Sequence, residues 1–394
     1  MADLKHEFDI MVLGAGLVGV ATAIALKLKG HRVMLLEQGK VGGERAGLGL
    51  AAWDSRIYAL SPGNVAWLEQ LGVWPLLDAE RVCAVDSMRI WGDDGAALEL
   101  DAYAANLASL SVIVEGSRLQ QALLARLMSL DVPVNDEISI DGVDWNPENV
   151  VLHAANGGTY AAPLLVGADG AYSWLRAQAD ITLRRHDYAQ MGVVANFACE
   201  HPHQSQACQW FRGNDVLAWL PLPQQHISIV WSVDNARAQA LMALDADTLA
   251  QEVAAAGQHR LGRLMLVTPA QAFPLAMQET SSLVKPGLAL VGDAAHLVHP
   301  LAGQGVNLGF RDVQALAEAV SGKQARRLPG DIFVLRRYER ARKADMMSMR
   351  LLTHGLSMLY ARPIPWVRML RNEGMKCLNR MPALKKQLVH YAVI

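Results

Sequence analysis

The sequence predicts an α/β protein in which a Rossmann-type nucleotide-binding domain is interleaved with an antiparallel-sheet domain and followed by a C-terminal helical segment. Three observations carry that expectation. A glycine-rich turn joins an apolar strand to a helical pattern near the amino end. Two later apolar runs each end in an aspartate beside glycine. The stretch between those runs alternates apolar and polar residues with a period of two.

The first element is FDIMVLGAGLVGVATAIALKLKGHRVMLLEQ, residues 8–38, in which a strand runs into Gly14, Ala15, Gly16, Leu17, Val18 and Gly19, the spacing GxGxxG. In that fingerprint the first glycine permits a tight turn, the second lets a pyrophosphate approach the backbone, and the third lets helix and strand pack closely. A second strand, HRVMLLE, ends at Glu37 and is followed by Gln38. Glu37 stands 23 positions after Gly14, close to the spacing of about 20 expected for a carboxylate that bonds a ribose. An acid there, with no arginine beside it, favours an unphosphorylated ribose such as that of FAD. The rival reading is a secretion signal or membrane span, because Ile10 to Leu26 is an uncharged run of 17 residues. Regular glycines, Asp9 before the run and a β-branched strand after it argue against that.

The second element is LLVGADGAYSWLR, Leu164 to Arg176, an apolar strand that ends at Asp169 and Gly170. Alone, it reads equally well as an Asx turn. The third is LALVGDAAHLVHPLAGQGVNLGFRD, Leu288 to Asp312. Gly292 and Asp293 place a carboxylate at the carboxyl end of a buried strand, where α/β sheets hold polyhydroxylated ligands such as a ribityl chain. Pro300, Gly303, Gln304, Gly305, Val306 and Asn307 follow. Glycines let the backbone approach a flat ring, and a helix beginning near Gly305 would aim its amides at negative charge on a reduced flavin. A strand, a turn and a capped helix are the plain alternative. The ordered set of three motifs is more specific than any member, and it reads as an FAD-binding domain.

On these motifs the chain resembles the single-component aromatic flavin hydroxylases, the para-hydroxybenzoate hydroxylase group, and most closely the ubiquinone-biosynthesis hydroxylases of the UbiH, UbiF and UbiI type. The resemblance spans essentially the full length. It includes Asp54-Ser55-Arg56 running into Ala59-Leu60-Ser61, LGVW at Leu71 to Trp74, EGSRLQQALL at Glu115 to Leu124, and the basic RMLRNEGMKCLNRMPALKKQL near the end. Tyr391 to Ile394 depart from the family's ending.

The resemblance implies that Arg56 lies by the FAD pyrophosphate, Arg118 on the phosphate-ribityl side of the flavin, Pro300 at the reactive ring face and Gly303 to Asn307 at the pyrimidine edge. It implies FAD as cofactor, NAD(P)H or another electron donor bound transiently without a second fingerprint, and molecular oxygen as co-substrate. Oxygen would pass from a flavin hydroperoxide to the aromatic ring of a polyprenyl phenol or quinone precursor. Two other readings stay open: another flavin oxidoreductase, such as an epoxidase, halogenase or dehydrogenase, and a flavin-carrying assembly subunit of the quinone pathway. No catalytic base is assigned. His296 and His299 lie in the flavin loop, and a structural hydrogen bond is the favoured role for His296. Trp210, Phe211, Trp219 and Trp231 are candidates for a substrate wall, although aromatics at alternating spacing also read as plain core.

A chain of 394 residues with 52% hydrophobic content is long enough for two cores. The expected FAD-binding domain comprises residues 1–80, 105–180 and 273–330, the substrate domain 81–104 and 181–272, and the basic helical segment 331–394. Four cysteines without metal-ligand spacing or disulfide density point to a reducing, cytoplasmic compartment, and no metal is expected. Residues 326–394 hold 15 Lys+Arg against 4 Asp+Glu, although the whole chain carries −2. Leu351, Leu352, Met358, Leu359, Trp366, Met369 and Leu370 accompany those charges. Such a segment suits peripheral contact with the inner face of the cytoplasmic membrane or with other ubiquinone-biosynthesis proteins, and equally a packed basic helix pair. No basic-aromatic pattern points to nucleic acid.

Overall fold

The computed structural model describes residues 7–42, 52–92, 96–213, 215–297 and 305–361, the side chains of the last helix only to residue 347, and isolated positions between 373 and 389. Strand Ile10–Leu13 lies inside a six-stranded sheet ordered Val284–Lys285, Leu288–Leu290, Leu164–Gly167, Ile10–Leu13, Val33–Leu36, Val134–Asn135. Neighbours run parallel except at the edge strand Val284–Lys285. Every residue of the three central strands is buried, as a sheet covered on both faces requires. The uncharged run from Ile10 is therefore strand, glycine turn and the start of helix Leu17–Leu28. No helix among the described residues is long and apolar enough to cross a membrane.

Helix Leu17–Leu28 packs against helices Gly116–Ser129 and Gly305–Ser321. From Ile10–Leu13 the chain moves to Val33–Leu36 on one side, while the neighbour on the other side is Leu164–Gly167. Such a reversal of strand order opens a crevice at the carboxyl ends of the strands, and all three sequence motifs leave the sheet there.

A nine-stranded sheet forms the second layer. Its path runs His296–Leu297, Gln271–Thr280, Leu183–Cys199, His226–Asp234, Asp215–Leu222, Gln206–Arg212, Ser87–Trp91, Ala97–Asp101, with Leu264–Leu266 also pairing Leu183–Cys199. Alternation sorts its two faces. Val193, Phe197, Ile229, Trp231, Leu217 and Trp219 face a core closed by helices Asn235–Met242 and Ala246–Ala256. The other face carries Asn196, whose Nδ2 donates to the Asp54 carbonyl at 2.7 Å, so it looks toward the nucleotide-binding domain.

This sorting corrects the substrate-wall expectation for three tryptophans. Trp210, Trp219 and Trp231 belong to the helix-covered core, where Trp91 stacks on Trp210 at 4.8 Å and Trp219 meets Trp210 edge-on at 4.9 Å. Phe211, next in the strand, lies on the opposite face. Period two reveals which residues share a face and is silent about what covers it.

The domain boundaries also shift. Strand Gln271–Thr280 stays in the antiparallel sheet throughout, so the return to the nucleotide-binding domain falls after Thr280 rather than at 273. Among the described residues this strand pairs with His296–Leu297 at Gln278 and Glu279, and on its other side Pro274 pairs with Met191. Strands Ile57–Leu60, Ser111–Glu115 and Cys83–Val85 form a small sheet between the two layers, cored by Trp53, Cys83, Val85, Ile113, Ala207 and Leu222. At the carboxyl end, Leu351, Leu352, Met358 and Leu359 fall within helix Ile332–Ala361, and Trp366, Met369 and Leu370 lie outside the described residues.

Candidate functional site

The fingerprint turn is built by two glycines that admit no side chain. Gly14 has φ +109°, and a Cβ there would lie 2.3 Å from the Ala168 carbonyl oxygen. A Cβ on Gly19 would sit 1.8 Å from the Gly14 carbonyl oxygen. Gly16 differs, with nothing within 4 Å of its Cβ position. It precedes helix Leu17–Leu28 without a side-chain cap, so its face is open to a ligand approaching the helix amides. Glu37 reaches back to this turn: Oε2 accepts from the Ala15 amide at 2.5 Å and Oε1 from Gly39 at 2.9 Å, while Gln38 beside it is exposed. Gln120, from helix Gly116–Ser129, donates to the Ala15 carbonyl at 2.8 Å.

At the end of the neighbouring strand, Asp169 Oδ2 accepts from the Leu175 amide at 3.0 Å, and its buried Oδ1 has no hydrogen-bond partner among the described residues. Gly170 follows with φ +81°. Arg176 joins this loop to the next one by donating to the Ala171 and Ala294 carbonyls, both at 2.9 Å. Burial pulls its guanidinium below the usual arginine range, against the opposing effect of Asp169.

The third loop is clamped residue by residue. The Leu290 carbonyl accepts from Tyr338 Oη at 2.7 Å, the Gly292 amide donates to Asp312 at 2.9 Å, and the Ala295 carbonyl accepts from Thr280 at 2.9 Å. Gly292 has φ +60°, and its Cβ position lies 3.1 Å from Val18. The Asp293 side chain makes no hydrogen bond among the described residues. It is exposed to solvent just beyond the carboxyl end of strand Leu288–Leu290. Desolvation raises its pKa, opposed by the positive charges of His296 and Arg56.

The stretch 52–61 completes the end of the crevice. Asp54 accepts from the Arg56 amide at 2.9 Å and the Ser117 amide at 2.8 Å, while Glu115 accepts from the Asp54 amide at 2.7 Å. Both Glu115 oxygens also receive Arg81 at 2.8 Å. Arg56 is exposed and Arg118 half-buried; Gly116, two positions before Arg118, donates its amide to the Arg56 carbonyl at 2.8 Å.

Gly305 opens helix Gly305–Ser321 with nothing among the described residues within 4 Å of its Cβ position, and Val306 behind it is buried. Asn307, read from the sequence as a group at the ring edge, has its side chain turned the other way. Its Oδ1 accepts from the Ser61 amide and Asn64 Nδ2, both at 2.9 Å, and its Nδ2 donates to the Ala59 carbonyl at 2.8 Å. It fastens the helix start to Ile57–Leu60 and can offer the crevice only backbone. Pro300, Gly303, Gln304 and His299 lie outside the described residues. His296 takes the structural role expected of it, bonding Asp312 at 2.7 Å. Asp312, Gln120, Arg81 and Glu115 were not singled out from the sequence. Their partners lie far along the chain, and no local spacing marks them.

These features fit a dinucleotide. Bare glycine faces at residues 16 and 305 suit phosphate and ring, and Asp169 and Asp293, which follow adjacent parallel strands, each keep an oxygen without a hydrogen-bond partner among the described residues. Among the described residues no group of acids, histidines and cysteines could hold a metal.

Comparison with known proteins agrees with that geometry. Residues 7–344 match the family described as FAD binding domain. The chain is 35% identical to 3-demethoxyubiquinol 3-hydroxylase of Escherichia coli (strain K12), covering 98% of both chains. It is 32% identical to ubiquinone hydroxylase UbiL of Rhodospirillum rubrum, covering 98% of this chain and 89% of the relative. The fold is also that of the crystal structure of p-nitrophenol 4-monooxygenase PnpA from Pseudomonas putida DLL-E4, with a TM-score of 0.78, 16% identity and 98% of each chain covered.

Proposed function

Because the chain belongs to the FAD binding domain family, we propose that it is an FAD-dependent monooxygenase that hydroxylates the aromatic ring of a polyprenylated ubiquinone precursor. One observation carries this reading: 35% and 32% identity, over 98% of this chain, to proteins named as ubiquinone-pathway hydroxylases, in a chain whose three motif strands lie side by side in one parallel sheet. When bound, FAD supplies the redox chemistry, taking two electrons from NAD(P)H or another donor and activating dioxygen, so that one oxygen atom enters the ring and the other leaves as water.

The chain's own residues bind, orient and exclude water. In this reading Glu37 and Asp169 hold ribose or ribityl hydroxyls, Asp293 the ribityl chain, and the bare backbone at Gly16 the pyrophosphate. Arg56 and Arg118 balance phosphate charge. The first-turn amides of helix Gly305–Ser321 present positive dipole to the ring edge.

The sheet face shared with Asn196 serves as the substrate wall. Val194, Val230 and Ala218 stand in direct register across three strands, half-buried, and Gly192, Ser232 and Val216 form the adjoining row. Such a small, largely apolar floor suits a flat ring and keeps water from the reacting atoms. The basic segment 326–394 is suited to an anionic membrane surface, where a polyprenyl tail resides.

The test is deletion of the gene followed by mass spectrometry of the quinone intermediates. The expected result is accumulation of a precursor lacking one ring oxygen, restored by the wild-type gene but not by Asp293→Ala. An unaltered quinone profile rejects the assignment, and full rescue by a variant without FAD supports an assembly role instead.

A further inference from the structure

Between Leu290 and Ala295, the backbone is tied on both sides of Asp293 by side chains from four other elements, and one of those ties is ionic and fully buried. Asp312, 0% exposed, accepts from the Gly292 amide at 2.9 Å and from His296 Nε2 at 2.7 Å through Oδ2, and from Arg342 Nε at 2.7 Å through Oδ1. Arg342, from helix Ile332–Ala361, also bonds Asp345 at 2.5 Å, and Asp345 in turn pairs with Arg311 at 3.1 Å. Gly292 and His296 flank Asp293 by one and three positions.

A buried ion pair is a poor way to gain stability, since desolvating the charges offsets most of their attraction and an apolar substitute of the same shape often does as well. Its value lies in fixed geometry, because a bidentate carboxylate with both oxygens in use has few alternative placements. Here that fixed geometry stands directly behind Asp293, between Gly292 and His296.

We propose that the Asp312–His296–Arg342 cluster is a positioning device for Asp293, through which helix Ile332–Ala361 sets the placement of the carboxylate that contacts FAD. This rests on the reading of Asp293 as an FAD-binding residue. All three cluster residues are buried: Asp312 holds the Gly292 amide, His296 lies in the loop itself, and Arg342 acts through Asp312.

The test is a double-mutant cycle on FAD affinity, measured by titrating the flavin-stripped full-length protein with FAD and following flavin fluorescence. With Asp293 present, Arg342→Met and His296→Gln are each expected to weaken binding about tenfold, the coupling typical of one hydrogen-bonded network. In an Asp293→Ala background the same substitutions should change affinity less than about twofold. If the losses simply add, the cluster acts as general scaffold and the proposal is overturned. If Asp293→Ala alone leaves FAD affinity unchanged, the reading of Asp293 fails and the proposal with it. Arg342→Lys, which keeps the charge and loses the planar fork, replaces Arg342→Met should that variant not fold, and the same non-additivity is required of it.

Discussion

Arg81 and Glu115 are 8% and 1% exposed and bond through both carboxylate oxygens, with the Arg81 guanidinium 3.8 Å over the Trp53 ring. The pair holds the Asp54 amide, and Asp54 in turn fixes the amides of Arg56 and Ser117. Removing one partner leaves a buried charge without compensation, which costs about 3–5 kcal/mol. Arg81→Met is therefore expected to lower the unfolding free energy by that amount in denaturant titration, whereas a loss under about 1 kcal/mol would mean the pair is dispensable.

At this scale the sequence was legible wherever a role depends on local spacing. Gly14 and Gly19 were readable because close packing of turn, strand and helix demands glycine at those intervals, and the contacts at 2.3 and 1.8 Å give the reason. Arg81 was not readable. Its partner lies 34 positions away and shares no periodicity with it.

Helix Gly305–Ser321 reaches other elements through single side chains: Asn307 to Ile57–Leu60 and helix Pro62–Gln70, Asp312 to the Leu290–Ala295 loop and the last helix. Its Asp312 makes the element sensitive to pH. Burial alone would push the His296 imidazole down, but the Asp312 carboxylate and its hydrogen bond outweigh that and hold it above the usual histidine value. Burial likewise favours protonated Asp312, and the charges of His296 and Arg342 hold it below the usual carboxylate value instead.

A raised histidine contributes stability that is fully present below its unfolded value near 6.5 and lost as pH rises through its native value. The depressed aspartate contributes stability that is present above its unfolded value and lost as pH falls through its native one. Thermal midpoints of wild type and His296→Gln should therefore differ most near pH 6, and the gap should shrink on the alkaline side. A gap that widens toward high pH would contradict the ion-paired histidine.

The strands show where element-level reading stops. The alternating patterns around Trp219 and Trp231 correctly signalled an antiparallel sheet, yet both of its faces are shielded, one by two helices and the other by the nucleotide-binding domain. The tryptophans went to the helix side, a choice that packing volume makes and alternation does not encode. Pro274 sits within strand Gln271–Thr280, paired with Met191, and a proline inside an apolar run weakens a strand reading by rule.

In the whole molecule, two layers are threaded through each other: the parallel sheet collects strands from residues 10 to 290, and the antiparallel sheet takes its own from 87 to 297. This interleaving was legible because the returns at Leu164–Gly167 and Leu288–Leu290 each carry their own glycine and aspartate signature. The small sheet joining the layers was not, because its three short strands have no motif and gain their apolar faces only from the neighbours in the bridging core. The crevice exists because three returns of the chain end side by side, and a cofactor bound there would touch all of them.

Equilibrium titration of the flavin-stripped protein with FAD, carried out on the wild type and on Glu37→Ala, Asp169→Ala and Asp293→Ala, tests that convergence most directly. The expected result is saturation at one FAD per chain, with each substitution, one from each sequence motif, weakening binding at least about tenfold, the loss of a charged hydrogen bond. Saturation at another stoichiometry, or full affinity in the carboxylate variants, would mean the three loops do not share one ligand.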